Sequence, residues 1–576
     1  MKRFTTTFYI ILLALIGGTV ISGQLLGFFS LYTPWAVALS TVFFTFLFAF
    51  LLYKFGFNFL LTTLEQPQRI KIPKWAAVIA VAGGIALLVV VLVLPLALWP
   101  YTGINHELNW DAGLYHLPKA AQMVVSHSSW DLSIAYGEYP FGFESLLAAS
   151  LLLNKAGYLL GLTHALSLLF FVLSLTFLAC RYSRLPVSYA FFLVVFVLAS
   201  YDIIRLANLN PFMIFRVMAF TIGKNDFFLS AAMLAFLFFA PIGPDRSRYS
   251  LVGMSISSML IACTKPNGFL LLLIVWLSVL IMEVRRWIKN KKIEKRDVFA
   301  WIGVILINLS GLLWIIRNLV VQGTFVSSES LWIQQYSILS NLANPLFYNH
   351  LGTFAWLVLA LLGISILALI LFKHINWTVP AAFLVLILSF VITPATLYFE
   401  TPESPAIIFW RLGLYLLAFT VPLVLLLLDP AIKWLFARKI SLPINLILSA
   451  LIVGISFIGC YKNYSRIKPD PANTLVLRDQ YTDSVGVDGY FSAYDYVRRN
   501  VTHSVVWIEN GLPFYLFGED LTNSVSHQTE ADYHVFLQTN WNGGSGFPPL
   551  LATNTWKENW TLVYADPEGR VYKRNQ

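Results

Sequence analysis

Residues 109–118 read NWDAGLYHLP, which sets a carboxylate, a phenol and an imidazole close together just past the apolar run ending at Leu98, Trp99 and Pro100. A carboxylate crowded by aromatic rings can be tuned as a proton acceptor, because burial disfavours its charged form. If the stretch is helical, Asp111 shares a face with Tyr115 four residues on and with Glu107 four residues back, and His116 follows directly. The plainer reading is that Asp111 caps an interfacial helix that Trp110 and Tyr115 anchor among lipid headgroups.

Cations recur at comparable places. Lys224, Asn225 and Asp226 in TIGKNDFFLS directly precede an apolar run, where Asp226 could simply cap the helix. Lys265 in CTKPNGF sits at a tight turn and could snorkel to water. Arg317 in LLWIIRNLVVQG and Arg411 in IIFWRLGLY lie deeper in apolar surroundings than snorkelling requires. A guanidinium held at a membrane face suits a phosphate, which it grips with two parallel hydrogen bonds. One carboxylate with several cations can move a group from a membrane-embedded phosphate ester to a hydroxyl. The carboxylate takes the acceptor's proton, and the cations stabilise the departing phosphate. A divalent cation could share that second task, with Asp111, Glu107, Asp226 or His116 as ligands, although the spacing does not compel one.

The elements that must hold these residues are apolar helices. Of 576 residues, 58% are hydrophobic and 12% charged, and the mean hydropathy is +0.71; a soluble chain cannot cover so much apolar surface. Alternation of the kind a β-barrel needs is missing. The sequence predicts an α-helical polytopic membrane protein of about 13 spans: Phe8–Tyr32, Trp35–Tyr53, Trp75–Trp99, Tyr158–Cys180, Pro186–Tyr201, Asp226–Pro241, Ser250–Thr264, Gly268–Val284, Val298–Asn318, Leu351–Phe372, Thr378–Leu397, Ile407–Leu428 and Leu442–Cys460. Lys2 and Arg3 precede the first run as in a signal peptide, but no small-residue cleavage site follows, so it reads as a retained helix. Cys180, Cys263 and Cys460 form no disulfide or zinc pattern.

The net charge of +10 is not a nucleic-acid signature. Arg285, Arg286, Lys289, Lys291, Lys292, Lys295 and Arg296 cluster beside a span, as in a cytoplasmic loop facing anionic lipid. With Arg69, Arg181, Arg184, Arg246 and Arg248 also cytoplasmic, the amino terminus lies inside and Asp111, Lys224, Lys265, Arg317 and Arg411 all lie outside. This holds only if Phe141–Lys155 does not cross; carrying Glu144, it is expected to lie in the outer interface. Residues 1–460 then form the membrane domain, with a first large external loop at 101–157. Residues 461–576 form a small external α/β domain with a helix at SAYDYVRRN, strands at SVVWIEN and YHVFLQT, and a hairpin turning at Asp566-Pro567-Glu568-Gly569.

The stretches NWDAGLYHLPKA, EYPFGFESLLAA, GKNDFFLSAAML, TKPNGFLL, WIIRNLVVQG and FWRLGLYLLAF resemble the bacterial GT-C class of membrane glycosyltransferases, in particular the dolichyl-phosphate-mannose mannosyltransferase-like and aminoarabinose-transferase-like proteins. The resemblance runs in order along essentially the whole chain. It implies a polyprenyl-phosphate-linked sugar as donor, a glycan, lipid or protein acceptor, Asp111 as the catalytic residue of the first external loop, a juxtamembrane helix after Tyr139-Pro140, and Lys265 and Arg411 facing the lipid phosphate. Where that family often carries a second adjacent acidic residue, this chain has Ala112. A transporter or flippase, or a non-catalytic assembly protein of the same fold, is the competing expectation. A transporter would place ionisable residues near the midplane with internal symmetry, whereas here they gather at one face.

Overall fold

The computed structural model describes residues 2–65, 69–98, 111–134, 136–155, 157, 159–203, 215, 218, 221–241, 250–291, 293–325, 360–364, 366–367, 378–392, 413–437, 441–467, 492–508, 511–526, 531–537, 547, 549–567 and 569–575. Its helices are α1 (Lys2–Phe28), α2 (Pro34–Leu64), α3 (Lys74–Ala97), α4 (Leu117–Ser126), α5 (Gly142–Leu153), α6 (Leu160–Tyr182), α7 (Val187–Ile203), α8 (Asp226–Phe239), α9 (Leu251–Ala262), α10 (Phe269–Asn290), α11 (Lys295–Ser310), α12 (Leu313–Gln322), α13 (Thr378–Ile392), α14 (Leu414–Ala437) and α15 (Ser441–Ile467). Among the described residues seven are long and apolar enough to cross a membrane, and α11 with α12, bent by 47°, make an eighth if the pair is one span. That is fewer than the thirteen expected. The expected spans at α8 and α9 are apolar helices of 14 and 12 residues, and the described parts of those at α7 and α13 are 17 and 15 residues. The expected Leu351–Phe372 span lies largely outside the described residues.

Local sequence explains the joints. Thr33 caps α2 by accepting from the Ala36 amide, with Pro34 at the first helical position. Pro95 interrupts α3, and the helix widens into a π-turn at Leu88–Val93 just before it. The α11–α12 bend falls at Gly311, which approaches α9 so closely that an added Cβ would lie 2.9 Å from the Met259 carbonyl oxygen. Trp314 then fixes α12 by donating to the Ala262 carbonyl.

Charged groups sort to the two ends of the bundle. At one end Arg69 donates to the carbonyls of Thr63, Cys180 and Leu185, Arg184 pairs with Asp429 at 3.2 Å, and Arg181 donates to Leu237 and Phe238. The other end carries the 111–142 segment, which is tied to α1 by Trp130 on the Phe28 carbonyl and Ser129 on Gly27.

The segment after Tyr139-Pro140 forms a helix held by protein contacts. α5 is a 12-residue helix, too short to cross, but it is buried along most of its length, packed against α1, α4 and α6. Small residues make the close packing: a Cβ on Gly23 of α1 would meet Ser145 at 2.4 Å, and one on Gly142 would meet the Cys263 backbone at 2.7 Å. The Gly142 amide donates to the Cys263 carbonyl.

The C-terminal unit contains α16 (Ser492–Asn500), α17 (Asn554–Asn559) and a five-stranded mixed sheet in the order β2-β1-β3-β5-β4. The strands are β1 (Val505–Ile508), β2 (Ser524–Ser526), β3 (Tyr533–Leu537), β4 (Trp560–Ala565) and β5 (Gly569–Arg574). β1 runs parallel to β2 and β3, and the antiparallel β4–β5 hairpin pairs through β5 with β3. Each element expected from the sequence is present. The 3-10 turn Pro513–Phe517 and β2 pack on α4, which brings the sheet to the Asp111 end of the bundle.

His534 of β3 is buried among Trp507, Trp556 and Trp560, and neither ring nitrogen has a hydrogen-bond partner among the described residues. Burial, then Arg574, lowers its pKa from 6.5 to about 4. Between those values the unfolded chain takes up a proton that the folded one refuses. Stability should therefore be full above pH ~6.5 and fall as pH drops towards 4, by up to about 2–3 kcal/mol. Pulse proteolysis of the full-length protein should show this loss, and the His534→Phe variant a flatter profile.

Candidate active site

Asp111 opens a π-turn, Ala112–His116, that runs directly into α4 with Pro118 near its start. Wide i→i+5 turns of this kind are uncommon and concentrate at functional positions. Asp111 has helical backbone angles and its side chain makes no cap hydrogen bond. Its carboxylate instead meets the Lys224 ammonium at 3.0 Å; the lysine side chain is 3% exposed and the carboxylate 23%. Two residues on, Asp226 lies at the start of α8 and pairs with Lys265 at 2.8 Å. Asn225 joins the two by donating to the Thr264 carbonyl. Residues from three distant stretches, Asp111, Lys224–Asp226 and Lys265, therefore converge as alternating charges at one end of the bundle. Asp226 stands in the first turn of its helix and is at the same time the partner of Lys265, whose side chain is 20% exposed.

His116 has partners that the sequence did not single out, Glu144 and Lys119. His116 Nδ1 and Glu144 Oε1 of α5 are 2.6 Å apart, both residues almost wholly buried, and Lys119 Nζ stands 4.0 Å from the same oxygen. Lys119 also donates to the carbonyls of Tyr139 and Pro140 at 3.0 Å each. Burial pushes the Lys119 pKa down to about 8, against the pull of Glu144. Burial pushes Glu144 up, but Lys119 and His116 outweigh it and hold the carboxyl below its usual range. For His116 burial prevails over Glu144 and the pKa falls below 6.5. At neutral pH the pair is a carboxylate beside a neutral imidazole. The Tyr115 ring lies 4.1 Å from the His116 ring, tilted by 43°, and 5.0 Å edge-on from Tyr136.

Arg317 occupies a different place from the one expected of a phosphate ligand. It is 1% exposed, donates to the carbonyls of Ser129, Gly137 and Tyr139 and to Asn318 Oδ1, and lies 5.1 Å from the Phe141 ring centre. Its guanidinium is committed to shaping the 128–141 loop, because that loop turns several carbonyls inward with no strand or helix to receive them. Glu107 and Arg411 lie outside the described residues. Among the described residues no three of His, Cys, Asp and Glu gather as a metal-ligand set; Asp111 and Asp226 each face a lysine, and His116 Nδ1 faces Glu144.

The arrangement can accept a proton at a partly open carboxylate and neutralise an anion with two ammonium groups nearby. The chain matches no protein-family model and no characterised protein.

Proposed function

We propose that this chain is a GT-C-type membrane glycosyltransferase with about 13 crossings, seated in a bacterial cytoplasmic membrane with its amino terminus inside and the Asp111 end and C-terminal domain outside. It transfers a sugar from a polyprenyl-phosphate-linked donor to a hydroxyl on a glycan, lipid or protein. The observation that carries the reading is the convergence of Asp111 with Lys224 and of Asp226 with Lys265 at one end of an apolar bundle. Asp111, the more open carboxylate, takes the acceptor proton as the new C–O bond forms. The phosphate leaves with the electron pair of the broken C–O bond and exchanges onto Lys224 and Lys265, whose charge-assisted hydrogen bonds are stronger than neutral ones. Glu107, Tyr115 and His116 support the carboxylate, and a divalent cation remains compatible with the chemistry.

The reading is tested by release of polyprenyl phosphate from a polyprenyl-phosphate hexose in proteoliposomes. Lys265→Met should raise the donor KM about 10-fold or more, as loss of one charged hydrogen bond of ~1.5–3 kcal/mol requires. A donor KM unchanged by Lys265→Met removes that lysine from the phosphate site.

A further inference from the structure

Charge also gathers where the C-terminal unit meets the bundle, at a cleft of about 260 Å³. Lys155, just past the end of α5, lines it from the bundle side. Arg498 of α16 and Glu519 line it from the C-terminal unit, over buried walls of Phe514, Tyr515 and Leu521. Lys155, Arg498 and Glu519 make no side-chain hydrogen bond or ion pair with another described residue, so both cations keep their charge for a ligand. The depth of the cleft follows from the chain. α6 begins at Leu160, shortly after Lys155, and is long and apolar enough to cross a membrane. In a bilayer its start marks the edge of the hydrocarbon, where Lys and Arg side chains meet lipid headgroups. Leu153 and Leu162, on either side of Lys155 in sequence, are 81% and 45% exposed and offer apolar surface at the same level.

We propose that this cleft binds the headgroup of an anionic phospholipid, its phosphate shared by Lys155 and Arg498 and its acyl chains lying against Leu153 and Leu162. A guanidinium grips phosphate oxygens with two parallel hydrogen bonds, and an ammonium adds a point charge. The cleft is smaller than the roughly 300–1,000 Å³ of sites that enclose a whole drug-sized ligand, which suits a headgroup whose chains stay outside. Glu519 opposes the lipid charge and holds the affinity below what two cations alone would give. One cation comes from the bundle and one from the C-terminal unit, so a phosphate between them ties the two parts together. This holds whichever reaction the Asp111 end carries out.

The test uses the full-length protein in mild detergent, with native mass spectrometry counting bound phosphatidylglycerol as that lipid is titrated. Lys155→Gln/Arg498→Gln should bind one phosphatidylglycerol about 30-fold more weakly than the wild type, since each cation beside an anionic lipid is worth about 5-fold. Phosphatidylcholine with the same chains should not distinguish the two proteins. Glu519→Gln leaves both cations in place and should tighten phosphatidylglycerol, a gain that misfolding could not produce. In nanodiscs the wild type should melt at a higher temperature in phosphatidylglycerol than in phosphatidylcholine, and the double variant should lose most of that difference. Phosphatidylglycerol bound equally by the wild type, the double variant and Glu519→Gln overturns the proposal. Displacement of the lipid by millimolar inorganic phosphate also overturns it, because the cleft would then be a site for a free anion.

Discussion

The Asp111→Asn protein is expected to transfer sugar about 10²–10⁴-fold more slowly than the wild type, with little change in donor KM, since what is lost is the proton acceptor. The substitution keeps shape and leaves an amide oxygen for the Lys224 ammonium 3.0 Å away. It also takes the Asp111 charge away from a buried lysine, which costs stability independently of chemistry. The double variant Asp111→Asn/Lys224→Met separates the two effects by removing both charges. Its thermal stability should recover towards that of the wild type while its transfer rate stays at or below that of the single variant. Recovery of transfer in the double variant would show that Asp111 matters only as a counter-ion.

The second large effect is on folding. Arg317→Leu removes the donors to three buried acceptors, the carbonyls of Ser129 and Gly137 and Asn318 Oδ1, while the Tyr139 carbonyl keeps its Lys119 donor. A buried polar group left unmade costs about 1–3 kcal/mol, so the loss should be at least about 3 kcal/mol. Thermal unfolding in nanodiscs should show a marked drop in midpoint, with protease cleavage in the 128–141 loop. Arg317→Lys keeps the charge but not the fork that reaches several carbonyls at once, so it should recover only part of the loss. A wild-type melting curve for Arg317→Leu would contradict the assignment of this residue to the loop.

The contrast between Asp111 and Arg317 shows what the sequence carried. The polar helix at 492–500, the short strands and the hairpin at Asp566 were legible, because each is set by local pattern and turn chemistry. The polarity of the bundle ends was legible from where the charges fall. The winding of DAGLYHLP was not, since a π-turn leaves no periodicity in five residues. Nor was the Glu144–His116 contact, where one Glu in an apolar run met a histidine 28 positions earlier. Arg317 was misplaced because its partners are backbone carbonyls, which have no letter in the sequence. That α5 packs against protein along most of its length was not legible, because apolar packing against protein and against lipid leaves the same composition.

The account is tested most directly in one proteoliposome preparation, where release of polyprenyl phosphate and transbilayer movement of the intact donor are measured together, for the wild type and for Asp111→Asn. The glycosyltransferase reading predicts phosphate release with the sugar newly bonded to an acceptor in the wild type, and its loss in the variant. Intact donor carried across the bilayer by both proteins, with no bond made or broken, would contradict it.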